Sequence, residues 1–395
     1  MLEAILDWII KYKAIIIFYL VIIIFLIIKR KKIVTQAKFI FLYRMKWGLK
    51  WMDHTAQRFR EWIILLGYVG VGAGYIGLIF ISYILIKNLY DLITQPAAVS
   101  GVSLVLPGLN VPGLGVLPFW HWIIAIFIIA VVHEFSHGIV ARAHNLEVKN
   151  TGIVLFGPII GAFVEPDEKK LRKEKDIKQY SVLAAGSFSN IILAVIALLL
   201  LNFAIMPLQQ KMVEPTGFTF DAYFGEPSPF AQAEIAPGTL ITGFNQQKIT
   251  QFQDFNEELS CLQPGEEVRI NTPKQDYTIT LGNNPDNPER ALLGISSIRN
   301  EFEIKEKYQQ GFWKSIYYIL DVIGGFLRWL FLLSLGIGLF NLLPLPIVDG
   351  GRMMQVFLHK LRGETKGEKS YRMISLFFLL ILLLNLFYPW LAKLF

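Results

Sequence analysis

Six long runs of apolar side chains constrain this chain more than any other feature. They fall at about 8–28, 62–86, 118–141, 181–205, 324–343 and 374–391. Each is long enough to cross the roughly 30 Å hydrocarbon core of a bilayer as a helix. Backbone inside lipid must satisfy its own hydrogen bonds, so such runs leave little choice but a helical bundle. Composition agrees, with 54% hydrophobic and only 17% charged residues, against about 25% charge in ordinary soluble domains. The one cysteine, Cys261, excludes an intramolecular disulfide and a cysteine-rich zinc site. Basic residues follow the first apolar run rather than precede it, so the N-terminus reads as a retained anchor and not a cleaved signal.

The net charge of +7 does not point to nucleic acid, because the Lys and Arg residues cluster between apolar runs, where they act as topology signals. Lys29, Arg30, Lys31 and Lys32 close the first run, and further basic groups lie at 142–178 and 352–372, whereas the loop 87–118 has Lys87 alone. Placing the basic loops in the cytosol puts the N-terminus outside and makes the chain a multi-pass protein of the cell membrane. Three segments depart from the simple spans. The basic, aromatic stretch 33–61 is expected along the cytosolic interface. "TGIVLFGPIIGAFVE" (151–165) is too short to span and is broken at Gly157-Pro158, which suits a re-entrant hairpin covered by protein. Residues 207–310 are polar, with turn signals and alternating runs such as "YTITL", and read as a soluble domain on the outside.

"VVHEFSHGIV" (131–140) places three ionisable groups at membrane depth, where such groups are costly and mark function. His133 and His137 are four residues apart, one above the other on a helix face, so both imidazoles can meet a single zinc ion. Glu134 points beside the metal, where it can hold a water and take its proton. The bland alternative is a polar helix end at the interface. A catalytic zinc needs a third protein ligand and an open position. Glu147 and Glu165 are local options, while His144 lies about 10 Å further along a helix, too far to share the ion. Asp349, in "NLLPLPIVDGGRMM" (341–354), is the better candidate. Pro344 and Pro346 interrupt the helix there, Gly350-Gly351 lets the backbone turn, and a carboxylate on unwound backbone calls for a cation. The topology brings the ends of the third and fifth runs to the same side.

HEFSH in one run and "NLLPLPIVDG" (341–350) in a later one resemble the site-2 protease family of intramembrane zinc metalloproteases. That family's pattern, Asn-x-x-Pro and then an aspartate-glycine pair, is met by Asn341, Pro344, Asp349 and Gly350. "GSFSN" (186–190) is similar to the family's Gly-Pro-x-x-Asn element, with Ser187 in place of proline. The resemblance covers 118–205 and 312–372 most strongly. It implies one zinc ion held by His133, His137 and Asp349, with Glu134 as acid and base. It also implies substrate or oxyanion contacts for Asn190 and Asn341, whose alternative is hydrogen-bond glue between helices. The hairpin would then receive an unwound substrate as an added strand. "SPFAQAEIAPGTLITGFNQQKI" (228–249) looks like the PDZ element of bacterial proteases, matching at Pro237-Gly238 and Asn245, with Glu234 and Thr239 where glycine and aspartate are usual. Such a domain binds peptide ends by strand addition.

The expected architecture is an all-α polytopic membrane protein of about six transmembrane helices, with a re-entrant β-hairpin and one extramembrane PDZ-like α+β domain. Its parts are an anchor and interfacial segment (1–61), a second membrane helix and outer loop (62–117), a first half of the catalytic core (118–206), the PDZ-like domain (207–310), a second half of the core (311–372) and a last membrane helix (373–395). The expected function is zinc-dependent hydrolysis of peptide bonds within single-span membrane proteins, near the cytosolic side. The alternatives are a metal transporter using the same His/Asp site and a non-proteolytic membrane binding protein using the PDZ-like domain. "GAGYIG" (72–77) satisfies a nucleotide-loop pattern but has neither a preceding strand nor a ribose acid. Gly70 and Gly74 are instead spaced for close helix packing. Asp321 and Arg328 read as an interfacial turn or an internal pair.

Overall fold

The computed structural model describes residues 2–36, 40–95, 101–102, 105–111, 115–225, 228–284 and 287–391, so parts of the loop between the second and third apolar runs lie outside the described residues. The chain divides into two compact units, Met1–Leu201 with Gly325–Phe395, and Asn202–Gly324. The first opens with α1 (Leu2–Lys29), strands β1 (Ile33–Gln36) and β2 (Ile40–Met45), and helices α2 (Leu49–Arg58) and α3 (Arg60–Thr94). A two-residue ladder of β3 (Asn110–Val111) and β4 (Gly115–Val116) precedes α4 (Phe119–Ala143). Then come β5 (Val148–Phe156), β6 (Ile159–Pro166), the single turn α5 (Glu168–Leu171) and α6 (Asp176–Leu200).

The second unit holds α7 (Met206–Met212), β7 (Val213–Tyr223), α8 (Pro229–Gln232), β8 (Gly243–Phe244), β9 (Gln247–Lys248) and α9 (Phe252–Ser260). After these it has β10 (Glu267–Asn271), β11 (Asp276–Thr280), β12 (Gly282–Asn284), β13 (Asn287–Leu292) and β14 (Ile295–Ile304). The chain ends with α10 (Gly311–Phe340), which begins in the second unit and continues in the first, then α11 (Asp349–Arg362) and α12 (Glu364–Leu391).

Among the described residues, six helical stretches are long and apolar enough to cross a membrane: Tyr12–Lys32, Arg60–Thr94, Phe119–Ala143, Asp176–Met212, Gly311–Phe340 and Glu364–Tyr388. These are the six apolar runs of the sequence. The second, fourth, fifth and sixth overshoot those runs at one end or both, because helix continues through polar turns that an apolar window leaves out. The fold is mostly helical, yet its first unit also carries an antiparallel sheet in the order β1-β2-β5-β6. The run 151–165 does form a hairpin, β5 and β6, turned at Gly157 with φ +55°. Strands β1 and β2 were not foreseen in the interfacial stretch 33–61. They exist because β2 borrows its ladder from β5, pairing Ile40 with Phe156 and Met45 with Thr151, a partnership that no local periodicity announces. Only α2 keeps the amphipathic helical pattern there, burying Met52 and Ala56.

Helix α6 is the centre of the first unit, packed against α3, α4 and α11. The buried face of α3 is a stripe of glycines, Gly67, Gly70, Gly74 and Gly77, where added methyl groups would run into Ser181, Phe188, Met353 and Leu342. The nucleotide-like "GAGYIG" is therefore part of a packing seam, and Gly72 faces open space. On one side of α6 lies a cluster including Met52, Val140, Val164 and Val182, and on the other Val71, Leu183, Leu342 and Met353. Between membrane helices such contacts act through close packing rather than removal from water, because lipid tails are as apolar as these side chains.

The second unit is an α+β body whose core is built from Phe218, Phe220, Phe230, Phe244 and Phe255 with Ile235, Ile241 and Ile270. A four-stranded antiparallel sheet, β11-β10-β8-β9, and the long pair β7/β14 enclose that core. The expected segment 207–310 lies inside this unit, which also takes in residues 202–206 at one end and the first turns of α10 at the other. The β8–β9 hairpin turns through Asn245 and Gln246, both at positive φ, and Asn245 Oδ1 accepts from the Arg269 N–H at 2.8 Å.

Candidate metal centre

Helix α4 starts after Pro118, whose lack of an N–H is harmless at a helix start, and runs unbroken through the HEFSH turn. His133 and His137 therefore share a face, and their Nε2 atoms stand 3.2 Å apart. Asp349 Oδ2 completes the triangle, 3.2 Å from His133 Nε2 and 3.3 Å from His137 Nε2. These three side chains form the one group of three or more potential metal ligands among the described residues. Two ligand atoms bonded to zinc at about 2.0–2.1 Å with a tetrahedral angle lie roughly 3.3 Å apart, so the spacing suits that ion.

Ring tautomers give an independent test of the fit. His137 Nδ1 is 2.7 Å from the carbonyl oxygen of Val182. A carbonyl only accepts, so Nδ1 carries the proton and Nε2 offers a lone pair toward the triangle. His133 Nδ1 is 3.1 Å from the Asn190 amide, while Asn190 Oδ1 is buried without a hydrogen-bond partner. Exchanging the amide's O and N lets the oxygen accept from Nδ1–H, and His133 Nε2 is then also freed for a cation. Gly186 makes the approach possible, since a methyl group there would occupy the space of both imidazoles.

Asp349 reaches the site differently from the expectation. The break between α10 and α11 spans 341–348, with Pro344 and Pro346 inside it, and Asp349 is already the first residue of α11. Gly350 and Gly351 are helical and do not turn the chain. Their lack of side chains serves close packing, because methyl groups there would strike the backbone of Leu342 and Leu345. The Gly350 N–H donates to the Asn341 carbonyl at 2.8 Å, which clamps the start of α11 onto the end of α10. A carboxylate in the first turn of a helix also gains from the macrodipole.

Glu134 is not one of the clustered ligands. Its Oε2 accepts from the Val164 N–H of β6 at 3.1 Å, and it lines the same cavity of about 590 Å³ as the three ligands, Asn341, Val348 and Arg352. Strand β6 is the last in its sheet, so its outer edge faces the site rather than another strand. The other sequence candidates are engaged elsewhere. Glu147 pairs with Lys170 at 3.0 Å, and buried His144 meets Ser181 Oγ at 3.2 Å. Glu165 is held by Arg44 at 2.7 Å and by Asn150 at 2.9 Å. The hydrogen-bonded guanidinium keeps the Glu165 carboxyl below the usual carboxylate range, against the opposing effect of burial. Asp321 and Arg328 are not among the cavity's lining residues. Asn190 is wholly buried behind His133, whereas Asn341 lines the cavity. Sequence reasoning missed the Val182 carbonyl, which every residue type carries, and the Ser187 hydroxyl, which had counted only as a missing proline.

Two imidazole nitrogens and one carboxylate oxygen beside a cavity are a donor set that suits zinc with an open position. The chain is similar to an uncharacterized protein of Methanocaldococcus jannaschii, 27% identical over 262 residues, covering 66% of this chain and 62% of the relative. It is similar to the zinc metalloprotease RasP of Oceanobacillus iheyensis, 25% identical over 274 residues, covering 58% of this chain and 62% of the relative. A shorter stretch of 66 residues is 36% identical to the protease RseP of Photorhabdus luminescens, covering 16% of this chain and 29% of that protein. The chain thus spans less than two thirds of the length of each of these relatives. The model of peptidase family M50 matches residues 121–385, which takes in the HEFSH turn, α6 and the Asp349 turn. Its six apolar helices make it a multi-pass membrane protein, and the chain belongs to peptidase family M50, the site-2 protease family.

Proposed function

We propose that this protein is an intramembrane zinc endopeptidase, which hydrolyses a peptide bond within the membrane segment of a single-span partner protein. The observation that carries the reading is the meeting of His133, His137 and Asp349 from two distant helices, with Glu134 on the wall of the same cavity. When bound, zinc supplies Lewis acidity, polarising the scissile carbonyl and acidifying water that touches it. Glu134, held by the Val164 N–H, takes the proton from the attacking water and returns it to the leaving amine. A substrate helix must unwind before its carbonyl is reachable, and the free edge of β6 offers an extended segment a ladder beside Glu134. The apolar hairpin of β5 and β6 would carry that ladder into the membrane as a re-entrant element. Asn341, on the cavity wall, would contact the substrate, and Asn190 would act from behind His133.

The basic stretches 142–178 and 352–372 flank the site and favour its opening toward the cytosol, with the second unit outside. That unit is read as PDZ-like. In support, α9 and β14 flank a cavity of about 200 Å³ lined by Phe252, Leu259 and Ile298 together with Asn256, Ser260 and Arg290, a mixed apolar and polar surface fit for a peptide end. The test is co-expression of single-span membrane proteins with the native chain and with Glu134→Gln. The variant should retain zinc and lose cleavage by at least about a hundredfold. Undiminished cleavage by a zinc-loaded Glu134→Gln chain would remove Glu134 from its role.

A further inference from the structure

Helix α6 supports all three ligands from behind. The Val182 carbonyl holds His137 and Asn190 holds His133, as described above. The third contact comes from Ser187, whose Oγ donates to Asp349 Oδ2 at 3.3 Å. Ser187 and Asn190 lie three residues apart and so share a face of α6, and both are wholly buried. A serine within a helix ordinarily turns its hydroxyl back to a carbonyl of the preceding turn. Ser136 does so toward Val132 at 2.7 Å, and Ser189 toward Gly186 at 2.8 Å. Ser187 instead reaches across to α11, and the oxygen it meets is the one that faces both imidazoles.

We infer that Ser187 is a positioning residue for the metal, selecting Oδ2 of Asp349 as the single ligand oxygen and holding it at the triangle. This rests on the zinc reading of the site. The position is the one where the similar family pattern carries proline, which has no hydroxyl to make this contact. Outer partners of this kind typically change metal affinity by about 10- to 100-fold. Unlike His133 and His137, whose rings are fixed by groups on α6, Asp349 gains its side-chain restraint within the site from this one hydroxyl among the described residues.

The experiment measures zinc affinity of the purified full-length chain against a chromophoric chelator, with no substrate present. Ser187→Ala should weaken zinc about tenfold, and Ser187→Thr, which keeps a hydroxyl, should recover most of the loss. Measured in an Asp349→Asn background, Ser187→Ala should change zinc affinity less than about twofold, because the carboxylate it positions is gone. Thermal melting of each metal-free protein reports whether the variant folds. Native-like affinity in folded Ser187→Ala would overturn the inference, as would an equal loss with and without the Asp349 carboxylate. A native chain that takes up no zinc would instead overturn the zinc reading itself.

Discussion

At the scale of single residues, several positions owe their identity to space or backbone conformation rather than to reactivity. Gly186 leaves room for two imidazoles, and Gly350 and Gly351 let a helix start against the turn before it. Glu234 is the opposite case, a side-chain-bearing residue at φ +57°, where the similar bacterial element carries glycine. Holding a residue with a Cβ in that left-handed region costs roughly 1 kcal/mol or more, whereas glycine adopts it freely at some cost in unfolded-state entropy. Glu234→Gly is therefore expected to stabilise the second unit by about 0.5 kcal/mol, read as a raised midpoint in denaturant unfolding. A lowered midpoint would show that the Glu234 side chain contributes more than its backbone costs.

At the scale of elements, the decisive piece is β6. One of its edges completes the ladder with β5, while the Val164 N–H on its other edge points to Glu134. Removing that donor breaks no ladder bond, since a strand-edge N–H facing away from its partner is the place where proline is tolerated. Val164→Pro should leave zinc bound but lower cleavage at least tenfold, because the Glu134 carboxylate loses its anchor. Val164→Ala keeps the N–H and serves as the control. Equal cleavage by the two variants would show that the strand does not set the Glu134 carboxylate for the proposed reaction. The clasp of Arg44 to Glu165 ties β2 to β6 across the sheet, so the unforeseen strands β1 and β2 brace the element that presents Val164.

At the scale of the whole molecule, the candidate metal centre lies within one of the two units. His133, His137, Asp349, Glu134 and their partners Val182, Ser187, Asn190 and Val164 all belong to the first. Strands β7 and β14 are antiparallel, and Val213 pairs with Ile304, so the ends of the intervening segment lie side by side. Replacing 214–303 by a short Gly/Ser linker should therefore leave one zinc per chain bound with near-native affinity. Metal content of the purified deletion chain is the readout. Loss of zinc would mean that the first unit depends on the second for its fold.

Local pattern was enough for six spanning helices, for the pair His133 and His137 with Glu134 beside them, and for a break around Pro344 and Pro346. Each of these rests on a repeat or restriction that neighbouring residues impose on one another. The meeting of Asp349 with the two imidazoles was legible too, because a carboxylate in an apolar run is costly without a partner. The strands at 33–45 were not, since β2 has a ladder only when β5 arrives from another part of the chain. Neither were Ser187 holding Asp349, the Val182 carbonyl fixing a tautomer, or the Val164 N–H on Glu134. Residue type names the groups a chain can offer a metal, whereas which groups stand behind them depends on how helices and strands pack, and packing is settled by contacts between residues far apart in the chain.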